Sequence, residues 1–136
     1  MKVIGEKTQA IVLTEFIKKN IPISIPFGDN QRYDYIIDVN GNLYKIQVKT
    51  ASYKNGSISF STSSSSIHRG GKRKNYKGQV DYFAVYSYET NEVYLLEVDE
   101  LGNREAKLRL EPTKNNQKIN IRYAKDYCLD IMLSKM

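Results

Sequence analysis

Several residue types on which common functional sites depend are scarce in this sequence of 136 residues. One cysteine, Cys128, excludes an internal disulfide and a multi-cysteine zinc site, and with one histidine, His68, neither a His-based metal site nor a Ser-His-Asp triad is expected. No apolar run approaches the roughly 18 residues of a membrane span, and no signal peptide is recognisable. We therefore expect an intracellular, cytoplasmic protein folded as one domain over residues 1–136.

Acidic residues are missing from the middle third of the chain. Between Val39 and Val80 there is no Asp or Glu, whereas eight of the 21 lysines and arginines lie there. The remainder holds 13 basic and 15 acidic residues, so the middle third carries +8 and the rest −2. Five of the eight cations fall within residues 69–77, where Gly70 and Gly71 disfavour a helix, and we predict a mobile basic loop. Because lysine and arginine displace condensed counterions, this segment is predicted to bind nucleic acid.

The predicted contacts with nucleic acid are cations and hydroxyls in or beside this segment. They are Arg32, Lys54, Ser61, Ser63, His68, Arg69, Lys72, Arg73, Lys74 and Lys77. Loops within residues 52–79 are expected to supply the groove contacts that would read a base sequence.

Hydrophobic periodicity and turn residues predict the secondary structure. Residues 5–20 have the spacing of a helix, and Asn40-Gly41 is a strong hairpin signal between strands at 33–39 and 43–50. Asn55-Gly56 marks another turn. Further strands are predicted at 23–25, 57–61, 80–88, 92–98 and 119–123, a loop at 61–66 and a helix at 124–133, while 101–110 is ambiguous. This order predicts an α/β or α+β fold in which helices flank one mixed sheet.

The two strands of the hairpin carry the residues best suited to metal binding and catalysis. Lys45, Gln47 and Lys49 share one face of their strand because side chains alternate. If pairing places Asp34 beside them, a carboxylate, an amide oxygen and an ammonium converge. Mg²⁺ takes such oxygen ligands and can activate a water and polarise a phosphate, while a lysine stabilises developing charge. The alternative is an exposed polar face without a chemical role.

This pattern resembles the PD-(D/E)xK nuclease superfamily. The resemblance rests on a helix with Glu6 in its first turn, a strand bearing Asp34, the strand Gln47-Val48-Lys49 and the downstream strand at 80–86. It is greatest to the small cyanobacterial group I intron-encoded homing endonucleases. It implies a restriction-endonuclease-like core and a Mg²⁺-dependent hydrolase of duplex DNA, with Mn²⁺ as a substitute ion. Archaeal Holliday-junction resolvases share the core, so a junction resolvase or a restriction-like nuclease is an alternative.

The resemblance also assigns roles to individual residues. Asp34 would be the main metal ligand, Gln47 would offer its amide oxygen, Val48 its backbone carbonyl, and Lys49 would be the catalytic lysine. Gln47 stands where most of the superfamily has Glu or Asp, so the site has one negative charge fewer. Either Glu6 supplies the missing carboxylate, which we favour, or the site is weakened and the protein is a non-catalytic DNA-binding module.

Two further predictions concern assembly and the remaining aspartates. One active site cuts one strand at a time, so cutting both strands requires two copies, and the resemblance implies a homodimer or a homotetramer. Asp38 lies too far along its strand to share an ion with Asp34 and is expected at a strand end or turn. Asp81 is expected to cap a strand or to pair with a basic side chain.

Overall fold

A five-stranded mixed sheet forms the centre of the fold. The computed structural model describes residues 2–28, 30–65, 73–112 and 121–136. The elements are α1 (Lys2–Lys18), β1 (Ile23–Ser24), β2 (Tyr35–Val39), β3 (Asn42–Thr50), β4 (Ser52–Lys54), β5 (Ser57–Ser61), β6 (Ser63–Ser65), β7 (Arg73–Asn75), β8 (Tyr82–Ser87), β9 (Glu92–Glu97), β10 (Glu105–Arg109) and α2 (Leu129–Ser134). Short 3₁₀ turns cover Val98–Glu100 and Ala124–Asp126.

Helix α1 packs on the central sheet through Thr8, Val12 and Phe16, which are all fully buried. The helix ends because Asn20 adopts a positive φ of 60°, and the amides of Asn20 and Ile21 bond to carbonyls of the last turn in the pattern of a Schellman motif. The predicted helix is confirmed, although it runs from 2 to 18 and its buried stripe is 8-12-16.

Tight turns with positive φ connect the antiparallel strands. Asn40 and Gly41 have φ values of 55° and 86°, and Asn55 and Gly56 have 50° and 77°. Two consecutive positive φ angles match the right-handed twist of the strands, which is why Asn-Gly favours a hairpin. Both predicted turns are therefore confirmed.

The central sheet has the order β1-β2-β3-β8-β9. Its pairs are antiparallel except β3 with β8, which run parallel with Gln47 opposite Phe83. The predicted mixed sheet is confirmed. Both helices contact one face, where Val12 and Phe16 of α1 and Leu129 of α2 pack against Ile37, Ile46 and Leu95.

The opposite face of the central sheet is covered by a second sheet rather than by a helix. This three-stranded antiparallel sheet has the order β10-β5-β4. Its inner side chains, Ile58, Phe60 and Leu108, pack against Phe83 and Leu96. The expectation of one sheet with helices on its flanks is therefore incomplete, because residues 51–61 and 105–109 form the second layer.

Several predicted boundaries are wrong. Residues 61–66 were expected to be a loop, but Ser63–Ser65 forms β6, which pairs with β7 inside the expected basic loop. The predicted helix at 124–133 is a 3₁₀ turn followed by the short α2. Of the strand expected at 119–123, residues 119 and 120 lie outside the described part, and Tyr123 forms one bridge with Arg109. No helix in the described ranges is long and apolar enough to cross a membrane.

Candidate active site

Asp34 lies where β2 begins, beside the polar face of β3. Its backbone N–H donates to the carbonyl of Ile46 at 2.8 Å, which extends the β2–β3 ladder by one residue and places Asp34 opposite Gln47. The side chain does not extend into solvent. Its Oδ2 accepts a hydrogen bond of 2.8 Å from the backbone N–H of Val48, and its Oδ1 accepts one of 3.1 Å from Nε2 of Gln9 on α1.

The environment of Asp34 opposes its ionisation. Burial raises the pKa of the Asp34 carboxyl, while the Val48 N–H and the Lys49 ammonium oppose that rise. Burial dominates because removing a carboxylate from water disfavours the charged form. A cation bound to the carboxylate would supply the missing compensation, so the site is better suited to a bound cation than to an isolated negative charge.

Lys49 lies on the same face of β3 as Gln47, against the rings of Tyr76 and Phe83, which belong to the core between the two sheets. Its Nζ donates to the hydroxyl of Tyr76 at 3.4 Å and lies 4.8 Å from the centroid of that ring. The Phe83 ring centroid is 5.8 Å away. Tyr76 is buried, so it holds the ammonium in a fixed position near Asp34.

Arg32 contacts the same tyrosine. Its Cζ lies 4.1 Å from the Tyr76 ring centroid, and its guanidinium donates to Oε1 of Gln79 at 2.8 Å and to Oγ of Ser64 at 3.2 Å. Two cations, Arg32 and Lys49, are therefore organised around one aromatic ring beside the Asp34 carboxylate. This arrangement favours a negatively charged ligand such as a phosphate.

The oxygen atoms around Asp34 fit a hard divalent cation. They comprise the Asp34 carboxylate, the Gln47 amide and the Val48 carbonyl, to which Nε2 of Gln47 donates at 3.5 Å. Rotation of the amide would turn its oxygen toward the ion. Oxygen donors without a sulfur or imidazole are the set that Mg²⁺ prefers. Within the described ranges there is no group of three or more His, Cys, Asp or Glu side chains that could hold a metal.

The helix residue that reaches Asp34 is Gln9 rather than Glu6. Glu6 is exposed on α1, one turn before Gln9, and no contact between it and Asp34 occurs. Gln9 also accepts, through its backbone carbonyl, a 2.8 Å hydrogen bond from the Tyr35 hydroxyl. The sequence reasoning missed Gln9 and the role of Tyr76. Spacing could have indicated Gln9, since positions 6 and 9 share a helix face.

The predicted nucleic-acid contacts are distributed over the second sheet and its neighbourhood. Lys54 on β4, Ser61 on β5 and Lys77 after β7 are exposed. Ser63 is buried, and its carbonyl accepts a 2.7 Å hydrogen bond from the Ser61 hydroxyl. Predictions for His68, Arg69 and Lys72 lie outside the described residues, as do those for the side chains of Arg73 and Lys74, whose backbone belongs to β7.

Two other aspartates, Asp38 and Asp81, have the structural roles that were predicted. Oδ1 of Asp38 accepts from the Gly41 N–H at 2.9 Å, which closes the β2–β3 turn. Oδ2 of Asp81 accepts from the Lys45 N–H at 2.8 Å and so caps the start of the β3–β8 pairing. Both predictions are confirmed.

The helix α1, the strand that Asp34 precedes, the strand with Gln47 and Lys49 and its parallel neighbour β8 form the core of a restriction-endonuclease-like nuclease. The sequence profile of the PD-(D/E)XK endonuclease family matches residues 1–130, and the chain belongs to this family.

A solved structure supports the same classification. The fold is similar to that described as "The structure of a bacterial homing endonuclease: I-Ssp6803I", with a TM-score of 0.78 and 27% sequence identity over 99% of this chain and 94% of that one. A comparison with curated proteins finds no match.

Proposed function

We propose that this protein is a Mg²⁺-dependent endonuclease of the homing type, which hydrolyses phosphodiester bonds in duplex DNA. The observation that carries the proposal is that half-buried Asp34, bonded to the Val48 N–H, lies beside the face of β3 that carries Gln47 and Lys49, within the basic third of the chain. Membership of a nuclease family and likeness to a bacterial homing endonuclease support it.

Asp34, the Gln47 amide oxygen and the Val48 carbonyl would hold Mg²⁺, or Mn²⁺ in its place, and Glu6 would add a carboxylate if its side chain turns toward Asp34. The bound ion would supply a more acidic water and polarise the scissile phosphate. Lys49, held by Tyr76, would orient that water and stabilise the charge that develops on the phosphate. Arg32 would contact a phosphate oxygen beside it.

One observation favours a second candidate, a non-catalytic DNA-binding module. Gln47 is neutral, and one carboxylate is a low charge with which to retain Mg²⁺. The candidates differ in one measurable property, since only the enzyme cuts DNA when a divalent ion is added. A junction resolvase would differ from a homing-type enzyme in cutting four-way junctions in preference to duplexes.

The test compares two lysines of the same strand face. Lys49→Ala should lower the rate of Mg²⁺-dependent cleavage of long duplex DNA by about 10²–10³-fold, the cost of losing one donor to a developing charge. Lys45→Ala is the matched control, because Lys45 is exposed and lies over the Tyr33 ring instead of the site. Both variants should bind duplex DNA within about twofold of each other, since each loses one charge.

The substrates should include linear duplexes and four-way junctions, each with Mg²⁺, with Mn²⁺ and with chelator. A wild-type protein that binds these substrates and never cuts them would establish the binding module instead. Equal loss of cleavage in Lys45→Ala and Lys49→Ala would remove Lys49 from the mechanism. Light scattering during the same assays would show whether the active species is the proposed homodimer or homotetramer.

A further inference from the structure

The outer face of the second sheet has a composition that the proposed active site does not explain. Strand β5 directs Ile58 and Phe60 into the core, and serines 57, 59 and 61 lie on the outer side, where Ser57 is buried, Ser59 is half-buried and Ser61 is exposed. Strand β10 likewise buries Ala106 and Leu108. On this face the central strand β5 therefore carries only serine side chains. The neighbouring strands β4 and β10 carry mostly longer, charged side chains.

Strand register arranges the outward residues in rows across the sheet. Lys54 lies opposite Ser57, which lies opposite Arg109, and Ser52 lies opposite Ser59, which lies opposite Lys107. A third row pairs Ser61 with Glu105. Each row has a serine of β5, so the side chains along β5 are short. The side chains of β4 and β10 on either side are longer and charged, except Ser52. We call this surface the serine track, formed by residues 52, 54, 57, 59, 61, 105, 107 and 109.

Two adjoining depressions confirm that the serine track is concave. One, of about 560 Å³, is lined by Thr50, Ser59, Ser61 and Arg104 among others, and the second, of about 420 Å³, includes Lys54 and Lys107. Thr50 follows Lys49 on β3, but its hydroxyl shares a hydrogen bond with Thr8 of α1. Ser63, which lines the same depression, directly precedes Ser64, the hydroxyl partner of the Arg32 guanidinium. The track therefore starts beside the candidate active site and leads away from it along β5.

The lysines and arginines that flank β5 on this surface are not paired with carboxylates in the described ranges. Lys54, Arg104, Lys107 and Arg109 form no salt bridge with any side chain in the described ranges. Among the residues that the structure describes, the Arg109 guanidinium donates to uncharged partners, namely the carbonyls of Glu111 and Pro112 and the hydroxyl of Ser57. The carboxylates here are those of Glu105, on the track, and Glu111, which lies close to Gly56 at its far end.

A buried hydroxyl at the start of the track also lacks a partner. Ser63 lines the first depression, is only 4% exposed, and its Oγ forms no hydrogen bond within the part of the chain that the structure describes. Buried polar groups in folded proteins are almost always hydrogen-bonded, to protein, water or ligand, so the Ser63 hydroxyl is a candidate donor to a bound group.

We infer that the serine track binds the sugar-phosphate backbone of one DNA strand as it leaves the candidate active site. This rests on the proposed function. Hydroxyl and ammonium groups are donors that phosphate oxygens accept, and a narrow floor of serines lets the backbone approach the sheet closely. Outward residues on β5 recur about every 6.8 Å, which lets successive serines meet successive positions of one strand. The contacts carry no base preference, so the track adds affinity and register without sequence specificity.

The experiment measures DNA affinity as a function of salt, with a mixed-sequence 30-base-pair duplex as the probe. All variants are made in full-length Lys49→Ala protein, so that the probe is not cut. Lys107→Gln should weaken binding about five- to tenfold near 0.1 M salt and reduce the slope of log K against log salt by about 0.9, because one phosphate contact is lost. Glu105→Gln should strengthen binding, since it removes a negative charge from the same track.

Lys135→Gln is the matched control, because Lys135 is an exposed lysine beside α2, on the opposite side of the central sheet. It should change neither affinity nor slope. The inference is overturned if Lys107→Gln and Lys135→Gln behave alike, if Glu105→Gln weakens binding, or if Lys107→Gln affects one duplex sequence and spares a scrambled one.

These outcomes separate the serine track from the proposed function. A wild-type protein that cuts DNA with Mg²⁺ while Lys107→Gln binds normally would retain the nuclease and overturn the track. Loss of binding in Lys107→Gln, together with no cleavage by wild type in either metal ion, would retain the track and overturn the nuclease.

Discussion

The two faces of the central sheet are filled in different ways. The face under the helices is apolar from β2 to β9, with Phe16, Ile37, Ile46 and Leu95 all fully buried. The opposite face is apolar only under the second sheet, and at β3 it presents Gln47 and Lys49 instead. One strand therefore contributes to the core with its even-numbered residues and to the candidate site with its odd-numbered ones. A closely packed face gives a fixed backbone from which the polar face can position its groups.

The largest expected effect concerns the helix-covered face. Phe16→Ala should lower the free energy of unfolding by about 3–5 kcal/mol, because it removes a fully buried ring and leaves a cavity. Urea denaturation followed by circular dichroism measures the change. Lys49→Ala should alter stability by less than about 1 kcal/mol. If Phe16→Ala does not fold, Phe16→Leu should give a smaller loss of unfolding free energy at the same position. A loss in Lys49→Ala greater than that in Phe16→Leu would contradict the expected difference between the two faces.

A smaller effect is expected at Gln47, on the polar face. Gln47→Glu should tighten the binding of Mn²⁺ by about tenfold, because a second carboxylate beside Asp34 attracts the ion. Gln47→Ala is the control, and it should weaken binding because an oxygen ligand is lost. Calorimetric titration of the protein with Mn²⁺ measures both. Equal affinities in the three proteins would show that the ion is not held at this point of β3.

The smallest effect concerns the pH dependence of stability in protein free of divalent ions. Burial raises the pKa of Asp34 above its ordinary value of 3.8, so the native state holds this proton more tightly than the unfolded chain. The resulting stabilisation is complete below pH 3.8 and is lost as pH rises through the native pKa. Asp34→Asn should remove this loss and flatten the stability curve in that range.

Thermal unfolding at a series of pH values, with Asp38→Asn as a control at the β2–β3 turn, measures this dependence. Adding Mg²⁺ should then stabilise the wild type at neutral pH and have much less effect on Asp34→Asn, because the variant lacks the charged one of the proposed ligands. A curve for Asp34→Asn that runs parallel to that of the wild type would mean that the Asp34 carboxyl has the same pKa in the native and unfolded states.

Local patterns predicted the elements that depend on local chemistry. The Asn-Gly turns, the helix near the N-terminus and the alternation in β3 are properties of a few consecutive residues, and all three were predicted. The position of Asp34 opposite Gln47 also follows from the Asn40-Gly41 turn, since a two-residue turn determines the register of the strands it connects.

The parts that were missed depend on contacts distant in sequence. The strand at 57–61 was predicted, but its pairing with β10, more than 40 positions away, was not, because local patterns do not identify distant strand partners. Likewise, the contact of Gln9 with Asp34 requires α1 to dock on the sheet at one particular angle. The position of Tyr76 beside Lys49 depends on the turn after β7. Such positions are determined by tertiary packing, which the hydrophobic periodicity of the sequence does not reveal.

The last residues of the chain have a further consequence, which concerns how copies of the protein can associate. Strand β9 is at one end of the central sheet, but Leu95 donates its N–H to the Tyr127 carbonyl at 2.9 Å and Tyr94 forms a bridge with Cys128. At the other end, β1 is only two residues long. Neither end offers a long row of free backbone groups that could accept a strand from another molecule. Edge-to-edge joining of two central sheets is therefore disfavoured, which also protects this sheet from the strand addition that leads to aggregation.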